Sequence, residues 1–203
     1  MTLEINSALV KKLRDKTGAG MMNCKKALQA AEGNFDEAIK ILRQQGLASA
    51  NQKMNRNVTE GLIHSYIHAG AKIGVLIEVN CETDFVARQE KFFELSNNLA
   101  MQIAASPEVR YIKFEDIPKE IFDAEKEIEL KKEDLLDKPD DIKDKITLGR
   151  VEKTLKKLSL LNQPFIRDPN ITIEELIKEK ISLFGENIRI RQFARYTLGL
   201  HND

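Results

Sequence analysis

Three groups of residues in this 203-residue chain have types and spacings that chemistry could use. His64 and His68 stand four apart, a spacing that suits a metal pair on a helix. Here they fall in an extended run, and at about 3.3 Å per residue the strand separates them by roughly 13 Å, too far to share an ion. Cys24 and Cys81 form no C-x-x-C, and neither has an identifiable base, so a zinc site, a disulfide framework and a cysteine nucleophile are not suggested. Gly18-Ala19-Gly20 could wrap a phosphate, but the lysine of the Walker spacing is missing. Asn23 stands where the dinucleotide fingerprint has its third glycine, and a helix rather than a strand precedes the loop. There is no G-x-S-x-G. The chain reads as a protein without catalytic chemistry of its own, and no cofactor or metal is expected.

What remains is an acid beside an aromatic ring, Asp84-Phe85, within Asn80-Cys81-Glu82-Thr83-Asp84-Phe85-Val86-Ala87-Arg88. This pair admits two readings. In the first, Asp84 complements the partial positive charge at a helix start, worth roughly 0.3 to 1 kcal/mol, and Phe85, seven positions before Phe92, opens the buried face. In the second, the first turn projects and carries the two side chains as a wedge for a partner. Periodicity alone favours the first.

The elements that must position this stretch are legible on either side of it. Ile73, Val75, Ile77 and Val79 alternate with Gly74, Leu76 and Glu78, the period of a strand with one buried face. Phe92, Leu95, Leu99 and Ile103 recur at helical spacing, and Thr83 is suited to cap a helix running from Asp84 to about Ala105, where Pro107 forbids continuation. A strand over 58–68 joins the strand over 72–79 through Ala69-Gly70-Ala71, a hairpin with glycine at the turn.

Upstream, Ile5, Leu9 and Leu13 mark a helix that Thr17-Gly18-Ala19-Gly20 ends, leaving Met21 and Met22 in a loop. Asn23 is placed to cap a second helix carrying Cys24, Ala27, Leu28 and Ala31, closed by Gly33. Asn34 with Glu37 resembles a capping pair for a third helix through Ala38, Ile39 and Leu42 to Gly46. The polar run over 49–57 reads as the end of that helix or as a linker. Downstream, an extended piece over 111–114 leads to Asp116, suited to cap a helix entered at Pro118. A charged helical hairpin spans 118–161, broken at Asp137-Lys138-Pro139-Asp140. Gln163-Pro164-Phe165-Ile166-Arg167-Asp168-Pro169 reads as a proline-bounded connection. Thr172-Ile173-Glu174-Glu175 resembles a capping box for a helix with Leu176, Ile177, Ile181 and Phe184 inward and Gly185 as its stop, and Ile188 and Ile190 belong to a last strand that joins the hairpin. The predicted class is α+β: a three-helix domain over 1–50, a linker over 51–57, and an α+β core over 58–203.

Composition sets the class of partner. The chain is 42% hydrophobic and 32% charged, with 32 basic against 32 acidic residues, so no dominant nucleic-acid surface is expected. Residues 1–56 hold ten Lys/Arg against five Asp/Glu, whereas residues 115–145 hold seven Lys against thirteen acids. No run approaches the roughly 18 apolar residues of a membrane span, and residues 1–16 lack a signal-peptide core, so the chain is expected to act where it is made.

Two stretches exceed what folding requires: Thr17-Gly18-Ala19-Gly20-Met21-Met22-Asn23-Cys24-Lys25-Lys26-Ala27-Leu28, and Glu78-Val79-Asn80-Cys81-Glu82-Thr83-Asp84-Phe85-Val86-Ala87-Arg88. Both resemble the signature segments of elongation factor Ts, the guanine-nucleotide exchange factor for the GTPase elongation factor Tu. The likeness extends to Gly61-Leu62-Ile63-His64-Ser65-Tyr66-Ile67-His68 and Gln163-Pro164-Phe165. The resemblance implies an N-terminal ubiquitin-associated-like three-helix domain and an α+β core, working by protein contact. It implies that Thr83, Asp84, Phe85 and Val86 push into the GTPase near its nucleotide and dislodge its Mg²⁺, and that Arg14, Met21, Met22 and Lys25 make an N-terminal contact. The family usually has Asp where this chain has Asn23, a change that keeps capping and loses a charge.

Longer members resemble a duplicated core with a further helical extension, whereas this chain has one core set. That resembles the short, single-core form and implies a homodimer, through the core or the helical hairpin. A bacterial cytoplasm is expected, or a chloroplast stroma if the gene is organelle-encoded. Two rival readings stand beside this one: a ubiquitin-associated-like adaptor without exchange activity, and an RNA-associated ribosomal accessory protein.

Overall fold

The computed structural model describes residues 5–136 and 138–200; the ends of the expected first and last domains, and Asp137 at the expected break in the helical hairpin, lie outside the described residues. The chain divides into two compact units. One takes in the chain through Gly61 together with 80–89 and 175–189; the other holds 62–79, 90–174 and the chain from Ile190 onward.

In the first unit, α1 (Ser7–Thr17), α2 (Met21–Ala30) and α3 (Phe35–Lys53) pack around Val10, Leu13, Cys24, Ala27, Leu28, Ala38 and Leu42. Asn6 begins α1 by accepting the Ala8 N–H at 2.9 Å. Gly18 ends it in the left-handed region at φ 70°, donating its N–H to the Arg14 carbonyl. Gly20 is the residue before α2, so Met21 and Met22 form its first turn instead of a loop, and Asn23 lies inside the helix instead of capping it. Asn34 caps α3, its side-chain oxygen accepting from the Asp36 and Glu37 N–H groups, both at 3.1 Å. Glu37 is paired with Lys40, so the cap is one-sided. The helix runs past Gly46 to Lys53 because Ala50 is buried about one turn beyond the glycine.

A three-stranded sheet, ordered β1-β2-β5, combines β1 (Glu60–Ile67), β2 (Ile73–Cys81) and β5 (Arg189–Thr197). Gly70 and Ala71, at φ 89° and 53°, reverse the hairpin between β1 and β2. Leu198 donates to the Lys72 carbonyl and Gln192 to the Glu78 carboxylate, so β5 runs antiparallel beside β2. Val75, Ile77 and Val79 are buried, while Leu76 on the opposite face is exposed, as the alternation requires. Between β2 and the next long helix the chain breaks in two: α4 (Asp84–Ala87) is a single turn, and α5 (Glu90–Ala105) follows separately. The continuous helix expected from Asp84 is interrupted at Arg88 and Gln89.

In the second unit, His64 packs its ring edge-on against Phe93 of α5 at 4.6 Å and lies 3.2 Å from the Asn97 side-chain oxygen, a packing role. After α5 come α6 (Lys119–Leu130), the single turn α7 (Glu133–Leu136) and α8 (Asp140–Lys156), with α6 packed along α8. Asp116 does not cap α6; its carboxylate accepts the Lys113 N–H around a short 3₁₀ turn. The connection after α8 contains an antiparallel pair missed in the sequence, β3 (Pro164–Phe165) with β4 (Asp168–Thr172). Buried Gln102 on α5 holds it, donating to Gln163 and the Pro164 carbonyl and accepting the Ile166 N–H. Helix α9 (Ile173–Phe184), which belongs to the first unit from Glu175 onward, then ends at Gly185, φ 77°. The result is the α+β fold with a small antiparallel sheet that the sequence predicts.

Candidate functional site

The site begins where β2 ends. Cys81 is fully buried and its thiol contacts the Thr83 carbonyl at 3.1 Å. Burial, reinforced by the nearby Glu186 carboxylate, pushes this thiol up to about 11, so it stays protonated and unreactive at neutral pH. Next, α4 makes one turn closed by two main-chain bonds, Ala87 N–H to Thr83 and Arg88 N–H to Asp84. Val86 points inward, 4% exposed, whereas Phe85 is 82% exposed. With neighbouring residues of one turn roughly 100° apart, a turn that buries position 86 directs position 85 away from that contact. The Phe85–Phe92 register fails because the helix breaks between them.

Asp84 is half exposed and pairs with Arg88 at 2.9 Å across the turn. Thr83 is the residue before α4, yet its hydroxyl makes no capping bond. It donates instead to Glu186 Oε1 at 2.6 Å. Glu186 Oε2 accepts the N–H groups of Glu82 and Thr83, at 3.1 and 3.0 Å. The arrangement is reciprocal, since Glu82 Oε1 accepts the Asn187 N–H at 2.6 Å and faces the Arg56 guanidinium at 3.6 Å. The Asn187 side-chain amide donates onward to the Met54 and Arg56 carbonyls, and Arg189 also reaches Met54. Thus the segment after α3, the β2–α4 loop and the loop after α9 are knotted together by hydrogen bonds, of which those to the Glu82 and Glu186 carboxylates and from Arg189 are charge-assisted. Neither Glu82, Glu186 nor Asn187 was a candidate from sequence. The only local trace is Gly185-Glu186-Asn187, a helix stop followed by polar residues.

The second candidate set lies on α1 and α2 in the same compact unit. Arg14 and Lys25 are exposed, Met22 is 65% exposed and Met21 42%. Exposed methionines on a first helical turn are adaptable apolar contacts, and the flanking cations leave the surface basic. Of the eight residues singled out, the structure brings seven to the surface wholly or in part and buries Val86. Among the described residues no group of His, Cys, Asp and Glu is arranged to hold a metal ion, and no helix is long and apolar enough to cross a membrane.

A family model described as elongation factor TS matches residues 2–200. The chain belongs to the elongation factor Ts family, a family of translation elongation factors. It is 58% identical over 199 residues to the chloroplastic elongation factor Ts of Rhodomonas salina, covering 98% of this chain and 91% of the relative. The chloroplastic elongation factor Ts of Guillardia theta is 59% identical over the same shares, and the elongation factor Ts of Synechococcus elongatus is 58% identical over 97% of this chain and 89% of its own length.

Proposed function

We propose that this chain is a guanine-nucleotide exchange factor that speeds GDP release from elongation factor Tu by pressing Asp84 and Phe85 against the GTPase near its bound Mg²⁺. The observation that carries this reading is the 82% exposure of Phe85 on a turn whose neighbour Val86 is buried and whose entry is braced by Glu186. A large apolar ring held in water on a fixed turn is costly unless a partner covers it, and its burial there would contribute roughly 1.5 to 3 kcal/mol. Within the Thr83–Val86 segment, Thr83 and Val86 anchor the turn and Asp84 and Phe85 make the contact. Arg14, Met21, Met22 and Lys25 form the second contact, whose separation along the chain from the first fits a partner gripped at two places.

The energetics need no bond to be made. Magnesium demands near-ideal octahedral geometry and helps hold the phosphates of GDP, so a small displacement of its surroundings loosens both. By linkage, a factor that binds the nucleotide-free GTPase more tightly than the GDP form weakens GDP by the same ratio. The protein therefore acts without an active site, a cofactor, a membrane or direct nucleic-acid contact. The compartment is that of the translation apparatus, bacterial cytoplasm or chloroplast stroma, and relatives of both origins support this.

A homodimer is part of the proposal. The exposed Ile63, Ile67, Leu76 and Leu198 give the second unit's sheet an apolar face suited to a second copy. The functional test is release of a fluorescent GDP from purified elongation factor Tu: the chain is expected to accelerate release in a saturable manner. Binding without acceleration would favour a ubiquitin-associated-like adaptor instead.

A further inference from the structure

We propose that Glu186 is a positioning residue for exchange: its carboxylate sets the direction of α4, and so of Phe85, without touching the partner. This inference rests on the exchange reading above and deepens it. A four-residue turn has almost no stability of its own, because helix nucleation is unfavourable and the ladder bonds that would repay it are few. The local bonds of α4 are Ala87 N–H to Thr83, Arg88 N–H to Asp84, Gln89 N–H to Val86, a backbone contact of Ala87 with the Cys81 thiol and the exposed Asp84–Arg88 pair, and exposed pairs contribute little. The usual reinforcement, a capping hydroxyl, is missing: the Thr83 hydroxyl oxygen accepts no N–H of the turn, and its O–H is directed to Glu186.

Orientation must therefore come from outside the turn. One carboxylate receives three donors from two consecutive residues, the N–H of Glu82, the N–H of Thr83 and the Thr83 hydroxyl. Three bonds to a rigid planar group fix both position and rotation, which one bond does not. The carboxylate is itself placed by Gly185, whose left-handed φ of 77° turns the chain out of α9. The return bond from the Asn187 N–H to Glu82, and the Asn187 amide bonds to the Met54 and Arg56 carbonyls, close the circuit. A wedge works only if it is stiffer than what it displaces. A turn free to pivot would still touch the partner but would yield on contact, so loss of the clasp is expected to lower the maximal rate more than the affinity.

The test measures maximal acceleration of GDP release and the half-saturating factor concentration for the parent, Glu186→Ala, Glu186→Gln, Phe85→Ala and the Glu186→Ala/Phe85→Ala pair. Glu186→Ala is expected to lose about tenfold or more in maximal rate, with half-saturation changed by less than about threefold. Glu186→Gln, whose amide oxygen still accepts both N–H groups and whose amide N–H₂ can donate to the Thr83 hydroxyl, is expected to recover most of that rate. On the Phe85→Ala background, Glu186→Ala is expected to add no further loss, because it acts through the same ring. Should Glu186→Ala not fold, Glu186→Asp, which keeps the charge and shortens the reach, carries the same expectations. Full additivity in the pair, or a parental maximal rate for Glu186→Ala while Phe85→Ala is slow, overturns the proposal. A Phe85→Ala protein as active as the parent would overturn the wedge reading and this inference with it.

Discussion

At the scale of single residues, the candidate stretch shows how neighbouring side chains acquire opposite environments. Cys81 and Val86 are buried, Phe85 stands in water, and Thr83 uses its hydroxyl on a carboxylate instead of on its own helix. The burial of Cys81 has a pH consequence. Its folded pKa is raised to about 11 from 9.0, so its stabilising contribution is complete below about pH 9 and is lost as pH rises through 11. Chemical denaturation at pH 8 and pH 10.5 is expected to show a larger loss of stability for the parent than for Cys81→Ala. Equal losses would mean that the thiolate is not penalised in the folded protein. Cys81 is also expected to resist alkylation at pH 8 until denaturant is added.

Among elements, the helices and strands with a clear period were legible in the sequence, and their ends less so. Ile73 to Val79 alternate because one face is buried, and α5 follows Phe92, Leu95, Leu99 and Ile103. By residue type Asn23 is the better cap, which places Met21 in a loop, yet the chain uses Gly20, where no side-chain cap forms. The β3–β4 pair was hidden by its prolines and by its two-residue length on one side. Glu82 and Glu186 were illegible as a pair, since 104 positions separate the bonded residues and no local pattern links them. The helix ends give a stability prediction. Gly18 sits at φ 70°, and a Cβ there would come within 2.7 Å of Leu183 Cδ1. Gly18→Ala is therefore expected to cost about 1 to 2 kcal/mol from the left-handed backbone alone. Asn34→Ala is expected to cost about 1 kcal/mol, with Asn34→Asp close to the parent. Urea titration checks both; an unchanged midpoint for Gly18→Ala would contradict the assigned backbone geometry.

At the scale of the whole molecule, the proposed function lies in presenting surfaces, and the sequence points to it through two signature segments more than through any catalytic pattern. Thr83–Val86 and the Arg14, Met21, Met22 and Lys25 set belong to one compact unit, while the exposed sheet face with Ile63, Ile67, Leu76 and Leu198 belongs to the other. This separation predicts that self-association and wedge chemistry can be perturbed independently. Sedimentation at micromolar concentration is expected to show a dimer for the parent and a monomer for Ile67→Lys/Leu198→Lys. A parent that is monomeric and fully active would remove the dimer from the account.

The most direct test of the central claim is stopped-flow release of labelled GDP from elongation factor Tu, comparing the parent with Asp84→Ala and Phe85→Ala at matched, saturating concentrations. Because Phe85 is exposed, its truncation is expected to leave the melting temperature within about a degree of the parent, as exposed substitutions do. The same truncation is expected to slow GDP release at least about tenfold, the loss that follows when an apolar contact worth more than 1.4 kcal/mol is withdrawn. Release at the parental rate in both variants would contradict the account, and a large fall in melting temperature for Phe85→Ala would show that the ring serves the fold instead.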